Sequence, residues 1–561
     1  MGLVAMLLLW EEIKMKKIHK ILLTIFTALL VVVIAGCGNK KPNSNESNKK
    51  QLNLSTTAPL DTIDISKSTG YGQTGNVFES FYRLGKKGQV NAGLAKSSSV
   101  SDDGLTWTFT LRDAKWSNGD KITAQDFVYS WRRTLDPKTK SPYSYLFSGI
   151  KNADQIIDGK AKPDSIGISA PNDKTVVIKL DKPIAYFKVL MAYPLFGPQN
   201  EKVVDKYGKK YGTKSQYMVY SGPFKIKNWS GTGNKWQFAK NDNYWDHKVV
   251  KLAQINYTVV SNPTTGQELY QQNKLDLTPL TSQQVKNFKS DKEFKQYPYS
   301  YVTYIKYNFA DQDAAKRKAM DNKNIRLAMS LAIDRDVLTK KILGDGSEPP
   351  KGFVASDLAK DPQIGKDFAD QQYVKDTVDT NTKLAQEYWQ KGLKEIGQKD
   401  LKLTLLASND DANGKVISEY LQSRYHKILP GLDIDIRDIP GHSATQRADD
   451  GDFDLYLSGW GGDFSDPITF LQTAKSNTSY NQGKYSNKEY DELVDRAQDQ
   501  DANDENKRWD DLVKATQILN AEQGMTPVYQ QVTAYLQKSD VKGIIHNTAG
   551  TQWSYKYAHK D

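Results

Sequence analysis

The chain has 561 residues with one cysteine and six histidines, which excludes a disulfide framework and any multi-cysteine zinc site. Lys and Arg number 77 against 66 Asp and Glu, a formal net charge of +11, yet the basic residues form short pairs and no block. That pattern fits a solvated basic surface and speaks against a nucleic-acid groove, and a mean hydropathy of −0.65 speaks against a membrane bundle.

In chain order the first feature is Met15-Lys-Lys-Ile-His-Lys20, followed by the apolar run Ile21–Ile34 and then Ala35-Gly36-Cys37. A basic region, a short apolar region and a small-residue cleavage site are the marks of a signal peptide. The run falls short of the ~20 residues a spanning helix needs. Glu11 and Glu12 stand in front of this pattern, so Met15 is expected to be the true start, with 1–36 removed. The segment Ile34-Ala35-Gly36-Cys37 resembles the bacterial lipobox, in which the cysteine thiol carries a diacylglycerol and becomes the first residue. Residues 38–51 hold no aliphatic side chain and read as a flexible tether. Lipidated Cys37 and 38–51 therefore precede the folded part, which is expected on the extracytoplasmic face of the cell membrane.

From Leu52 onward there is no low-complexity linker and no internal repeat. Asp102-Asp-Gly104 reads as a turn into a strand on which Trp107, Phe109 and Leu111 share one side. Ser117-Asn-Gly-Asp120 reads as a second turn. Thr123 and Asp126 then form a capping-box pattern in front of a helix whose stripe is Phe127, Trp131 and Leu135, stopped by Asp136-Pro137. Another helix is expected from about Asn324, with Ile325, Met329, Ala332 and Ile333 on one face. Short strands and helices alternate throughout, so the fold class is α/β or mixed α+β.

The stretches Trp107-Thr-Phe-Thr-Leu-Arg112, Lys115-Trp-Ser-Asn-Gly-Asp120 and Thr123-Ala-Gln-Asp-Phe-Val-Tyr-Ser-Trp-Arg-Arg133 resemble the signature of OppA-type oligopeptide-binding proteins. Ser221-Gly-Pro-Phe224, Asn241-Asp-Asn-Tyr-Trp-Asp246, Ile325–Arg335 and Phe453–Asp463 follow in that family's order. The resemblance implies a periplasmic-binding-protein-like fold, with two main lobes, an extra domain and hinge closure around a ligand. Lobe I would hold 52–78, 202–278 and 530–561, the additional domain 79–201, and lobe III 279–529. It implies a monomeric binder of oligopeptides that serves the membrane subunits of an ABC permease. No cofactor, metal or catalytic residue is implied.

A binder of many peptides must grip what all peptides share, namely the α-ammonium and the backbone. Ser458-Gly-Trp-Gly-Gly-Asp-Phe-Ser-Asp-Pro467 suits that need, because Gly461 and Gly462 beside Trp460 let another backbone approach. Of its two acids, Asp466 precedes Pro467 and an apolar run, and is read as an N-cap with proline at N1. Asp463 has no such local duty and matches the family position that holds the α-ammonium. The resemblance further assigns ligand contacts to Ser458, to Ser66-Lys67-Ser68, and to Tyr143, Tyr145 and Tyr529. Leu457 stands where some relatives place a basic side chain that fixes the carboxylate of short peptides, and Gly441 near where they place a tryptophan. Grip at the N-terminus alone is therefore expected. Alternatives within the fold are a pheromone or other solute, such as a sugar, a haem or a metal chelate. A cell-wall enzyme is the remote alternative. Ser47-Asn-Lys-Lys50 and Ser148-Gly-Ile-Lys151 match S-x-x-K, but neither S-D-N nor K-T-G accompanies them.

Overall fold

The computed structural model describes residues 50–561 except Asp61, Thr69, Asp411 and the side chain of Ala412, and Lys50–Asp561 form one unit. Cys37, the signal peptide and most of the tether lie outside the described residues.

A ten-stranded sheet runs through the body. From one edge its strands are Leu432–Ile439, Leu401–Ser408, Leu455–Gly461, Phe294–Tyr307 and Met525–Gln537, then Leu277–Pro279, Gln51–Thr56, Gln254–Val259, Lys235–Lys240 and Phe224–Lys227. Parallel pairing joins 401–408 to both 432–439 and 455–461, while 294–307 is antiparallel to both of its neighbours. A separate antiparallel sheet takes Ala95–Val100, Thr106–Leu111, Thr175–Lys179 and Ile168–Asn172. The class is thus mixed α/β, as expected.

The two longest strands, Phe294–Tyr307 and Met525–Gln537, pair side by side in the large sheet. Their pairing has a register shift between Pro298 and Val302. Proline cannot donate to a ladder, so Pro298 suits the irregularity. Leu280, Val285 and Phe294 pack with Tyr270, Ala534 and Leu536 in a small core of their own.

The local expectations hold where one face decides the outcome. Thr106–Leu111 alternates between half-buried threonines and buried Trp107, Phe109 and Leu111. Ala124–Leu135 buries Phe127, Trp131 and Leu135, and the Thr123 amide donates to Asp126 Oδ2 at 2.8 Å. The second helix is Lys323–Ala332, begun by Asn322, whose side chain accepts from the Ile325 amide; Ile333, expected on its apolar face, is instead the extended, buried residue that ends it.

Candidate functional site

Leu455–Gly461 pairs with Phe294–Tyr307 along its whole length, from Leu455 opposite Tyr307 to Gly461 opposite Tyr301. On its other edge, Leu401–Ser408 meets it only at Leu455 and Tyr456. Among the described residues no strand pairs with the outer edge of 457–461. An open strand edge is a ready template for an extended chain.

That edge leads into Gly462 and Asp463. The Gly462 amide donates to Ser300 O at 2.7 Å, and the Asp463 amide donates to Thr469 Oγ1 at 3.0 Å. Tyr193 donates its hydroxyl to the Asp463 carbonyl oxygen at 2.5 Å, and Tyr145 donates to the carboxylate Oδ2 at 3.1 Å. Asp463 forms no ion pair among the described residues. Burial pushes its carboxyl up from the ordinary 3.8 to about 6, against a partly opposing hydrogen bond from Tyr145.

Aromatic rings wall this carboxylate. Tyr71 lies between Tyr143 and Tyr193, at centroid distances of 5.1 and 5.3 Å. Tyr480 stands edge-on to Trp460 at 4.9 Å and 6.5 Å from Tyr145. The Tyr71 hydroxyl, the Ser300 hydroxyl and the Trp460 indole Nε1 are buried without a hydrogen-bond partner. Buried polar groups of this kind are satisfied in folded proteins by water or by another partner.

Asp466 has a different duty. Its Oδ1 accepts from the Ile468 amide at 3.0 Å, so it does cap the next turn. The helix is Ile468–Leu471 with Pro467 in the cap position, one residue later than expected. Sequence reasoning missed its partner Arg508, which binds both carboxylate oxygens at 2.7 and 2.9 Å in a buried ion pair. This pair lines a cavity of about 860 Å³ that begins at Ser465–Pro467 and extends to His546 and Asn547. The volume is that of ordinary ligand pockets. Burial pulls His546 down to about 4, leaving it neutral at neutral pH.

The other expected contacts separate into three groups. Tyr143 and Tyr145 stand in the wall around Asp463. Ser66 does not present its hydroxyl to a cleft: it is fully buried, and it accepts from Gln199 Nε2 at 2.8 Å and Arg133 Nη1 at 3.1 Å. The amides of Ser66, Lys67 and Ser68 all donate to Asp64, so this segment has only carbonyls and the exposed Lys67 side chain to offer. Tyr529 is 2% exposed and packs in a core with Ile305, Leu455 and Leu457.

The glycines have a further reason to be small. A Cβ on Gly459 would lie 2.3 Å from Tyr301 Oη, and one on Gly461 would lie 3.0 Å from Tyr299 Oη. Tyrosine rings, more than open space, cover that face of the strand. Sequence reasoning missed Tyr71, Tyr193, Tyr299, Tyr301 and Tyr480. The alternation Tyr297-Pro-Tyr299-Ser-Tyr301 was a signal for two of them.

A buried carboxylate that forms no ion pair among the described residues, set among aromatic rings, is an arrangement able to accept an ammonium group. Residues 89–482 match the family described as bacterial extracellular solute-binding proteins, family 5 Middle, and the chain belongs to that family. It is 38% identical over 558 residues to a dipeptide-binding protein of Lactococcus lactis, covering 97% of this chain and 100% of that one. It is 33% identical over 547 residues to the oligopeptide-binding protein OppA of Bacillus subtilis, covering 93% and 96%. OppA of Listeria monocytogenes bound to peptide matches the fold with a TM-score of 0.76 at 38% identity, covering 92% of this chain and 99% of that chain.

Proposed function

We propose that the protein captures oligopeptides by their free N-termini and hands them to the membrane subunits of an ABC importer. The observation that carries this reading is the uncompensated Asp463 carboxylate at the end of an open strand edge. A peptide α-ammonium supplies the missing counter-charge, in a charge-assisted bond of about 1.5–3 kcal/mol. The edge of 457–461 supplies sequence-blind backbone pairing, with Ser458 and Trp460 on one face of it and the carbonyls of 66–68 as further acceptors. The relatives are named as dipeptide-binding and oligopeptide-binding proteins, in agreement with this reading.

The lobes are taken as 52–78 with 202–278 and 530–561, then 79–201, then 279–529, with hinge closure at the two long crossing strands. A diacylglycerol on Cys37 keeps the monomeric binder at the cell membrane, and the tether lets it reach the permease. Leu457 packs in the core, so a second clamp for the peptide carboxylate is absent at that position. Longer peptides are therefore accepted.

Calorimetry with peptides of two to ten residues tests this, alongside native mass spectrometry of what co-purifies. Binding of free-amine peptides with no sharp length limit is expected. A cutoff at three to five residues removes the one-ended grip, and no binding of any peptide removes the function. A peptide-signal receptor is a second reading, favoured by a TM-score of 0.76 and 36% identity to the pheromone receptor PrgZ. It keeps the same site.

A further inference from the structure

Lys306 is 4% exposed and forms no ion pair among the described residues. Its Nζ donates instead to the Tyr480 carbonyl oxygen at 2.9 Å and to Gln482 Oε1. Gln482 in turn donates to Asp449 Oδ1 at 3.0 Å, which links the ammonium to a carboxylate through one intervening amide. A buried ammonium without a contacting carboxylate is expensive, and an apolar side chain of similar length would fill the same space at lower cost. Burial brings it down to about 8. Groups that break the stability rule in this way are expected where function requires them.

The register shows what Lys306 serves. Lys306 pairs with Tyr456, Tyr304 with Ser458 and Val302 with Trp460, so all six lie on one face of the sheet. Lys306 stands at one end of that row and Trp460 at the other. The loop that Lys306 holds returns Tyr480 to the Trp460 end, edge-on at 4.9 Å, with Tyr145 at 6.5 Å from the same ring. Tyr145 is the side chain that donates to Asp463.

We infer that Lys306 is a positioning residue for the binding site: by anchoring the Tyr480 carbonyl and Gln482, it fixes the Tyr480 ring against Trp460 and Tyr145 and so shapes the pocket that receives the ligand's ammonium. The inference rests on the reading of Asp463 as the ammonium acceptor. Lys306 touches no ligand itself. Its ammonium donates to both loop acceptors, which an apolar side chain cannot do, and lies 5.7 and 5.9 Å from the ring centroids of Tyr304 and Tyr456.

The test compares wild type, Lys306→Met, Tyr480→Ala and the double variant, using free-amine tetrapeptides and their N-acetylated forms in calorimetry, with urea unfolding alongside. Lys306→Met is expected to unfold at the same or higher urea concentration, because it removes a lone buried charge. It is expected to weaken free-amine peptides about tenfold and to narrow their advantage over acetylated ones. In the Tyr480→Ala background the same change is expected to alter affinity little, since the ring it positions is gone. Additive losses in the double variant, or loss of stability with affinity unchanged, overturn the inference and leave Lys306 a structural residue. If wild type binds no peptide, or Asp463→Asn binds as wild type does, the functional reading fails first and carries the inference with it.

Discussion

Tyr145 donates its hydroxyl to the carboxylate of Asp463 at 3.1 Å, joining residues 318 positions apart in the chain. Each side chain comes from a different part of the fold, the segment after the helix Ala124–Leu135 and the end of the strand Leu455–Gly461. The bond uses one acceptor position of a buried carboxylate that forms no ion pair among the described residues, and the other oxygen, Oδ1, is not engaged by it.

Asp463→Asn keeps shape and removes charge. It is expected to weaken free-amine peptides by roughly ten- to a hundredfold, the range of one charge-assisted hydrogen bond. Acetylated peptides are expected to change little. Calorimetry on matched pairs reads the difference, and equal losses for both forms remove Asp463 from its role.

The pH dependence follows from the raised value of about 6. Below it the free protein carries a neutral Asp463, while a peptide amino group with its ordinary value near ~8 stays protonated. Affinity is therefore expected to be flat from pH 7 to 7.5 and to fall as pH drops through 6, by up to about tenfold per unit. Asp463→Asn is expected to flatten this profile. A wild-type affinity that rises between pH 6 and 5 contradicts the assignment.

Stability has the opposite sign. A carboxyl whose folded value lies above its unfolded one holds its proton more tightly in the folded state. Its cost to the ligand-free protein is thus present above about pH 6 and relieved as pH falls toward the ordinary 3.8. Asp463→Asn is expected to stabilise the ligand-free protein by about 1–3 kcal/mol at pH 7.5 and by almost nothing near pH 4. Urea midpoints at the two pH values decide it.

Arg508 and Asp466 form a buried, two-pronged ion pair. Removing one partner leaves a buried charge alone, so Arg508→Met is expected to cost about 3–5 kcal/mol in urea unfolding. Adding Asp466→Asn is expected to recover part of that loss. A single variant as stable as wild type shows that the pair is solvated.

Gly459→Ala places a methyl 2.3 Å from Tyr301 Oη and 2.5 Å from its ring carbons. The ring has to move, at an expected cost of about 1–3 kcal/mol. Differential scanning calorimetry checks the magnitude, and an unchanged melting temperature shows that Tyr301 has free room.

Much was legible locally. The alternation of Trp107, Phe109 and Leu111, the pairing of Thr123 with Asp126, and the capping role of Asp466 depend on neighbours in the chain, so short-range pattern was sufficient to read them. The order of motifs over the length of the chain likewise carried the family and the mixed α/β class. Tertiary structure alone decided which tyrosines wall the carboxylate, because Tyr71, Tyr193 and Tyr480 reach it from segments far apart in sequence. It also decided that Ser66 and Tyr529 are buried: a serine enclosed by Arg133 and Gln199, and a tyrosine on a strand covered on both faces, look like surface or cleft residues until their partners arrive. Residue type and period report how a segment wants to fold, whereas burial, unpaired charge and orphaned donors are created only when distant segments exclude water together.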